Sequence, residues 1–201
     1  MRAWIYDRAI LPLTSAWYAE VLGRLPERAR LLDVGIGTGG ALVANADLVR
    51  DKQLRVHGID IDADYIRSCR HRLATAGLED RVHVAVEPVE QHLGGPYEAV
   101  YFSASFMLLP DPPGTLRHVA RLLAPDGRIY FTQTFEEERS ALAEAVKPLL
   151  RFFTTIDFGR VTYEDAFRRT LAEGDTELLE LTTLRGGRQR SHRLAVARPS
   201  A

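Results

Sequence analysis

Short apolar runs alternate with segments of helical spacing along most of the chain. Each run is rich in branched and aromatic residues, which is typical of buried strands. Strands that alternate with helices predict right-handed crossovers and a parallel sheet covered on both faces. The five runs predicted as strands are ARLLDVG, LRVHGID, RVHVAV, YEAVYFS and GRIYFTQTF.

Between these runs, apolar residues recur every three or four positions and predict helices. The first stripe contains Ile66, Cys69, Leu73 and Ala76, and Gly77 is expected to end that helix. A second stripe contains Leu116, Val119, Ala120 and Leu123, and the turn at 124–127 is expected to end it. Beyond the fifth strand, the apolar positions of 142–150 predict another helix.

The two ends of the chain depart from this alternation. Near the C-terminus, LLELTTL and HRLAVA are separated by Gly186, Gly187 and a short basic stretch, a connection that permits only an antiparallel pair. The segment 1–28 carries Trp4, Tyr6, Trp17 and Tyr18 and predicts a helix against the sheet edge or over a pocket. With no internal repeat or linker, residues 1–201 are interpreted as a single domain.

Composition narrows the function classes. Twenty-six basic and 27 acidic residues give a net charge of −1, which disfavours a nucleic-acid partner. The longest uncharged run, Val34 to Ala46, is shorter than the roughly 20 residues of a membrane-spanning helix. The start MRAWIYDR lacks the apolar stretch of a secretory signal. A cytoplasmic protein is therefore expected.

Glycines occupy alternate positions between the first strand and the next helix. Gly35, Gly37 and Gly39 permit a tight turn in which a ligand touches bare backbone and faces helix N–H groups. Gly35, Gly37 and Gly40 also match the dinucleotide fingerprint G-x-G-x-x-G, with Asp60 at the end of the second strand. A nicotinamide dinucleotide is thus one candidate ligand.

Asp33 favours a different ligand. A carboxylate two residues before the first glycine would repel a pyrophosphate, whereas a cationic amino and sulfonium group tolerates it. The run Asp-Val-Gly-x-Gly-Thr-Gly at 33–39 resembles the first motif of class I S-adenosylmethionine-dependent methyltransferases. The similarity extends from about Leu31 to the C-terminus.

This resemblance implies a Rossmann-like three-layer α/β sandwich whose seven-stranded, mostly parallel sheet has an antiparallel last strand. It implies S-adenosyl-L-methionine as the cofactor, with the Asp60 carboxylate on both ribose hydroxyls. Asp62 is either a further contact or the cap of the next helix. The positions that the resemblance assigns to cofactor binding are Asp33, Gly35, Gly37, Thr38, Gly39, Asp60, Ile61, Asp62, Ser103 and Tyr6.

The chain departs from the family after the third strand. The run there is Val-Glu-Pro-Val-Glu at 86–90, and Pro88 stands where relatives carry the acid that meets the adenine amino group. Glu87, Glu90 or a backbone group at Val89 is the alternative contact for adenine.

The acceptor side is expected to be apolar. Trp17, Tyr18, Phe106 and Met107 are the predicted pocket residues, and an apolar wall suits a reaction in which the charge on sulfur disappears. No general base is identified, so the catalytic residues are unknown. The segment 152–167 lies where relatives place a substrate lid.

The sequence therefore predicts a methyltransferase that uses S-adenosyl-L-methionine and a small, apolar or lipid-like acceptor. An NAD(P)-dependent oxidoreductase and a non-catalytic S-adenosylmethionine-binding protein are the alternatives. No metal site is predicted, because the six histidines show no paired spacing on a helix. Cys69 is expected to be a buried thiol, and Asp111 is expected to begin a helix.

Overall fold

Seven strands form one sheet in the order β3-β2-β1-β4-β5-β7-β6. The computed structural model describes residues 2–136, 162–187 and 189–200 of the 201-residue chain, with side chains described from Leu11 onward. The strands are β1 (Arg30–Val34), β2 (Arg55–Asp60), β3 (Val82–Val86), β4 (Tyr97–Ser103), β5 (Leu123–Glu136), β6 (Thr176–Gly186) and β7 (Arg190–Pro199).

The first five strands are parallel, and β7 is antiparallel to both of its neighbours. Strand β1 pairs with β2 and β4, β2 with β3, and β4 with β5, all in parallel register. Strand β7 lies between β5 and β6. The predicted α/β sheet and its antiparallel last strand are confirmed.

Helices cover both faces of the sheet and complete a three-layer sandwich. One buried cluster joins the sheet to α1 through α4, and a second joins the opposite face to α5 and α6. The helices are α1 (Arg2–Arg24), α2 (Gly40–Val43), α3 (Ala46–Asp51), α4 (Ala63–Ala76), α5 (Pro112–Ala120) and α6 (Glu164–Glu173).

The two helices predicted from apolar stripes on described residues differ in how closely they match the prediction. Helix α4 buries Ile66, Cys69 and Leu73 and ends at Gly77, whose φ of 62° closes the helix as expected. Helix α5 is shorter than predicted, because Leu123 already pairs with Tyr97 in the sheet. Residues 124–127 therefore lie within β5, where the register with β4 shifts, instead of ending α5. The predicted helix over 142–150 and all but the last residues of 152–167 lie outside the described residues.

Helix α1 packs on the first core cluster, as the sequence predicts for an N-terminal helix. Tyr18, Val21 and Leu22 are buried against the sheet. The C-terminal end of α1 is held by Lys52, whose ammonium donates to the carbonyls of Leu22 (3.1 Å), Gly23 and Leu25 (2.6 Å). Within the described ranges, no helix combines the length and hydropathy required of a bilayer-spanning segment.

Candidate functional site

The glycine-rich turn after β1 has a left-handed backbone at each alternate position. The φ angles of Gly35, Gly37 and Gly39 are 80°, 59° and 70°. A Cβ at Gly35 would lie 2.6 Å from the Ser105 Cβ, and one at Gly39 would collide with the Cys69 sulfur. These two glycines therefore permit close packing of the turn against the protein.

Gly37 differs, because a Cβ there would meet no described atom within 4 Å. Its N–H donates to Asp60 Oδ2 at 2.9 Å, so the turn is fastened to the end of β2. The backbone at Gly37 thus borders open space, and its predicted contact with a ligand stays a prediction.

Asp33 is fully buried directly before this turn. Its Oδ2 accepts a hydrogen bond of 2.8 Å from the Tyr18 hydroxyl, and its Oδ1 has no hydrogen-bond partner among the described residues. Burial raises the pKa of the Asp33 carboxyl to about 7, an effect that the Tyr18 hydrogen bond opposes. One oxygen of this buried carboxyl therefore has a donor and the other, Oδ1, has none. Oδ1 is an acceptor suited to a cationic donor.

The Asp60 carboxylate lies at the carboxyl end of β2, as predicted. Its Oδ2 accepts from the Gly37 N–H and its Oδ1 from the Asp62 N–H, both at 2.9 Å. Partial burial raises the pKa of the Asp60 carboxyl. Because each carboxylate oxygen has two lone pairs, both oxygens retain capacity for a ligand hydroxyl.

Asp62 and Ile61 follow Asp60 with different roles. Asp62 Oδ1 accepts from the N–H groups of Asp64 (2.8 Å) and Tyr65 (3.2 Å), so the structure shows the helix-cap alternative. The Ile61 side chain is 78% exposed, which leaves an apolar group at the rim of the site.

Helix α1 and the glycine turn enclose a cleft. Tyr18 from α1, Gly37 from the turn and Ser103 from the end of β4 face one another across it. This position at the carboxyl ends of parallel strands is where open α/β sheets bind ligands. The lining residues are Leu11, Thr14, Tyr18, Gly35, Ile36, Gly37, Thr38, Gly40, Ala41 and Ser103.

The acidic side chains after β3 are both engaged within the protein. Glu87 Oε2 lies 3.0 Å from His92 Nδ1, and Glu90 Oε1 accepts from the Thr115 hydroxyl at 3.1 Å. The Val89 side chain is buried in the second core cluster. The carboxylates of Glu87 and Glu90, two of the three predicted contacts for adenine, therefore already have partners within the protein.

The predicted acceptor residues divide between the two faces of the sheet. Trp17 and Tyr18 belong to α1 and are buried, and Tyr18 lines the cleft. Phe106 instead packs edge-to-face on Phe102, on the other face, so its placement in the pocket wall is corrected to the core. Met107 packs partly buried against the same core cluster. The Tyr6 side chain lies outside the described residues.

Sequence reasoning missed a polar cluster beneath α1. The Tyr101 hydroxyl lies 2.7 Å from the Thr132 hydroxyl, and His192 Nδ1 lies 2.9 Å from the Thr134 hydroxyl. The Trp17 ring is 5.6 Å from the His192 ring, and its buried Nε1 has no partner among the described residues. Polar residues alternating on the interior face of β5 were the available signal.

Two further predictions concern residues near the site. Cys69 is a buried free thiol, and burial raises its pKa to about 12, which fits the predicted structural role. Asp111 caps α5 by accepting from the Gly114 N–H at 3.0 Å. Both predictions are confirmed.

Known proteins share this sequence pattern and fold. The methyltransferase domain family matches residues 6–175. Ubiquinone biosynthesis O-methyltransferase of Bordetella avium is 32% identical over 135 residues, which are 67% of this chain and 54% of that protein. Methyltransferase GfsG of Streptomyces halstedii is 27% identical over 157 residues, or 76% of this chain and 54% of that protein. The solved [4+2]-cyclase SpnF superposes with a TM-score of 0.73 at 17% identity, over 96% of this chain and 83% of that chain.

These similarities differ in what they establish. The chain spans about half the length of the curated relatives it matches, and the 17% identity to the cyclase shows the fold alone. The family match, by contrast, covers most of the sequence, including the glycine turn, Asp33 and Asp60. The chain therefore belongs to the methyltransferase domain family.

Proposed function

We propose that this chain is an S-adenosyl-L-methionine-dependent methyltransferase that acts on a small-molecule acceptor. The observation that carries the proposal is the buried Asp33 carboxyl, whose Oδ1 lacks a partner among the described residues beside the glycine turn. A ligand ammonium would supply the missing donor, whereas the pyrophosphate of a dinucleotide would meet a like charge. The residues present thus fit S-adenosylmethionine better than NAD(P).

Asp60 is the proposed ribose contact. Its two oxygens are held in place by the N–H groups of Gly37 and Asp62, so the carboxylate is preorganised without being saturated. Adjacent ribose hydroxyls would each donate to one oxygen. Thr38 and Ser103, which also line the cleft, remain predicted contacts.

The adenine is proposed to lie against exposed apolar side chains next to Asp60. Ile61, which follows β2, is 78% exposed, and Val86, which ends the neighbouring strand β3, is 51% exposed. Because the Glu87 and Glu90 carboxylates have partners within the protein, a backbone group near Val89 is favoured for the adenine amino group.

When bound, the cofactor supplies an electrophilic methyl group, so no side chain is required as a nucleophile. The work left to the protein is to align the acceptor and to exclude water. Helix α1 is placed for this task, since it covers the cleft with Leu11, Thr14 and Tyr18. The acceptor is proposed to reach the methyl group from the Tyr18 and Ser103 side.

Buried aromatic residues favour an apolar or lipid-like acceptor that carries a polar group. Trp17 and Tyr18 are each 3% exposed, and the unpartnered Trp17 Nε1 would donate to an acceptor oxygen. The relative from Bordetella avium is named for ubiquinone biosynthesis, which agrees with an aromatic acceptor. We therefore expect a phenol or a related hydroxyl compound.

Calorimetry with S-adenosylhomocysteine and with NADH tests the cofactor assignment. S-adenosylhomocysteine should bind and NADH should not; Asp60→Ala and Asp33→Asn should each weaken binding by about 1–3 kcal/mol. Asp64→Asn is the matched control, because that carboxylate is exposed and pairs with Arg67. Tight binding of NADH alone would establish the oxidoreductase alternative instead.

Turnover distinguishes a methyltransferase from a protein that only binds the cofactor. Incubation with S-adenosylmethionine and a panel of phenols, quinols and lipids should yield S-adenosylhomocysteine with at least one acceptor. Trp17→Phe should raise KM for that acceptor without changing cofactor affinity. Cofactor binding with no turnover across the panel would favour the non-catalytic alternative.

A further inference from the structure

We propose that His57, Glu87 and His92 form a binding site for one divalent transition metal ion, with Zn²⁺ the ion that the ligand set suits best. One ligand atom from each residue lies within 4.8 Å of the other two. The proposal rests on this geometry and is independent of the methyltransferase assignment.

Three separate segments bring the ligands together. His57 lies in β2 and Glu87 directly follows β3, which is the parallel neighbour of β2. His92 ends the short 3-10 turn Val89–Gln91. Because side chains alternate along a strand, His57 faces away from Val56 and α1, on the sheet side that holds the second core cluster.

The hydrogen bonding of the two histidines is unequal. His92 Nδ1 lies 3.0 Å from Glu87 Oε2, and His92 Nε2 lies 2.8 Å from the Tyr97 hydroxyl, so both of its nitrogens have partners. His57 Nε2 is buried and has no partner among the described residues, although the two imidazole rings are only 4.8 Å apart. A buried unpartnered nitrogen beside a carboxylate and a second imidazole is a position that a metal ion would satisfy.

Coordination requires only a small contraction. Ligand atoms of a tetrahedral zinc ion with bonds of roughly 2.0 Å lie roughly 3.3 Å apart. The His92–Glu87 separation of 3.0 Å is already close to this value, and all three ligand atoms lie within 4.8 Å of one another. Three protein ligands leave a fourth position for water.

Tyr97 would act as the outer partner of the site. With His92 Nδ1 on the metal, its Nε2 carries the proton and donates to the Tyr97 oxygen, which fixes the tautomer and the ring orientation. Metal-ligating histidines commonly have such a partner, and here it is present before any ion binds.

The ligand types select the class of ion. Two imidazole nitrogens and one carboxylate oxygen suit Zn²⁺, Co²⁺ or Ni²⁺ and do not suit Ca²⁺ or Mg²⁺, which take oxygen ligands. The ion would join β2 through His57, the end of β3 through Glu87 and the end of the 3-10 turn through His92.

Metal titration of the chelator-treated, tag-free chain tests the proposal. We expect one Zn²⁺ per chain by calorimetry and by elemental analysis after dialysis, and a Co²⁺ absorption spectrum of a tetrahedral nitrogen–oxygen site. His57→Gln and His92→Gln should each weaken binding at least about tenfold, and Tyr97→Phe should weaken it about tenfold with all three ligands intact. His83→Gln is the matched control, since His83 is the register partner of His57 on β3. It should bind Zn²⁺ like wild type, because His83 is exposed and is not one of the three clustered residues.

A second measurement separates loss of the site from loss of folding. At one fixed Zn²⁺ concentration, the Tm should rise equally for wild type and His83→Gln and rise less for His57→Gln, while circular dichroism shows all three folded. Absence of stoichiometric Zn²⁺ binding by the wild type would refute the proposal. Equal binding by wild type and the His57→Gln/His92→Gln double variant would refute it as well, since the ion would then lie elsewhere.

Discussion

The Tyr18 hydroxyl donates a 2.8 Å hydrogen bond to Asp33 Oδ2 and so joins helix α1 to the end of the first strand. Both groups are buried, and burial raises the pKa of the Tyr18 hydroxyl well above its usual value, so Tyr18 remains a donor at every physiological pH. One contact therefore both ties α1 to the first strand and supplies a donor to the buried carboxyl.

Tyr18→Phe should lower the free energy of unfolding by about 1–3 kcal/mol, because it leaves a buried carboxyl oxygen without its donor. The same variant should weaken S-adenosylhomocysteine binding, since α1 covers the cleft. Urea denaturation and calorimetry measure the two effects. Tyr65→Phe, at a side chain on the exposed surface of α4, is the control. Equal stability of both variants would show that the contact is unimportant.

The pH dependence of stability should reveal Asp33. Its pKa is about 7 in the folded chain against 3.8 for a free carboxyl, so the folded state binds more protons between these values. The free energy of unfolding should then fall as pH rises from about 4 to about 7, by at most about 4 kcal/mol, and level off above pH 7.

Other carboxylates have the opposite dependence, because ion pairs and hydrogen bonds lower the pKa values of Glu98, Glu164 and Glu180. The quantity to measure is therefore the difference between wild type and Asp33→Asn at each pH. That difference should decline with rising pH, and a flat difference would mean that Asp33 titrates normally.

Gly39→Ala should destabilise the protein more than Gly77→Ala. Both glycines have a φ above 60°, but a Cβ at Gly39 collides with the Cys69 sulfur, while one at Gly77 meets nothing within 4 Å. Gly77→Ala should lower the free energy of unfolding by about 1 kcal/mol from backbone strain alone, and Gly39→Ala by about 3 kcal/mol. Thermal and urea unfolding give both values.

Relief of the collision provides the internal check. Cys69→Ala removes the sulfur, so Gly39→Ala should be less destabilising in that background, and a double-mutant cycle measures the coupling. An absence of coupling would mean that the turn moves away from α4 at no cost.

Lys52→Met should destabilise α1 by about 1–2 kcal/mol. The ammonium group bonds three carbonyls at the C-terminal end of this helix, where a positive charge is favourable and the carbonyls lack helical partners. Arg67→Met, which breaks an exposed ion pair with Asp64, should change stability by less than about 0.5 kcal/mol. Amide hydrogen exchange at residues 20–25 should be faster in Lys52→Met than in wild type. Equal exchange rates in the two proteins would contradict the prediction.

The sheet was predictable because its determinants are local. Each strand run, the short connection before β7 and the capping residues Asp62, Asp111 and Gly77 can be recognised from neighbouring residues alone. The glycine turn with Asp33 and Asp60 was found for the same reason. The assignment of these residues to particular cofactor atoms stays a prediction.

The direction in which the chain leaves a strand was not predictable. Ala104 adopts a φ of 55° after β4, a conformation that hydrophobic patterning does not forecast, and Phe106 then enters the core instead of the cleft. Contacts between distant segments were not predicted either, because they depend on how the segments pack together and not on neighbouring residues. His57 in β2 meets His92 at the end of the 3-10 turn that follows β3, and Trp17 meets His192 through the packing of α1 on the sheet.

The insertion of β7 between β5 and β6 has a consequence for how the chain is made. Strand β6 hydrogen-bonds only to β7 within the described sheet, yet β7 leaves the ribosome after it. Until β7 emerges, β5 presents an unpaired edge and β6 lacks its partner strand, so the nascent polypeptide exposes an aggregation-prone edge. The emergence of β7 is therefore what permits this half of the sheet to close.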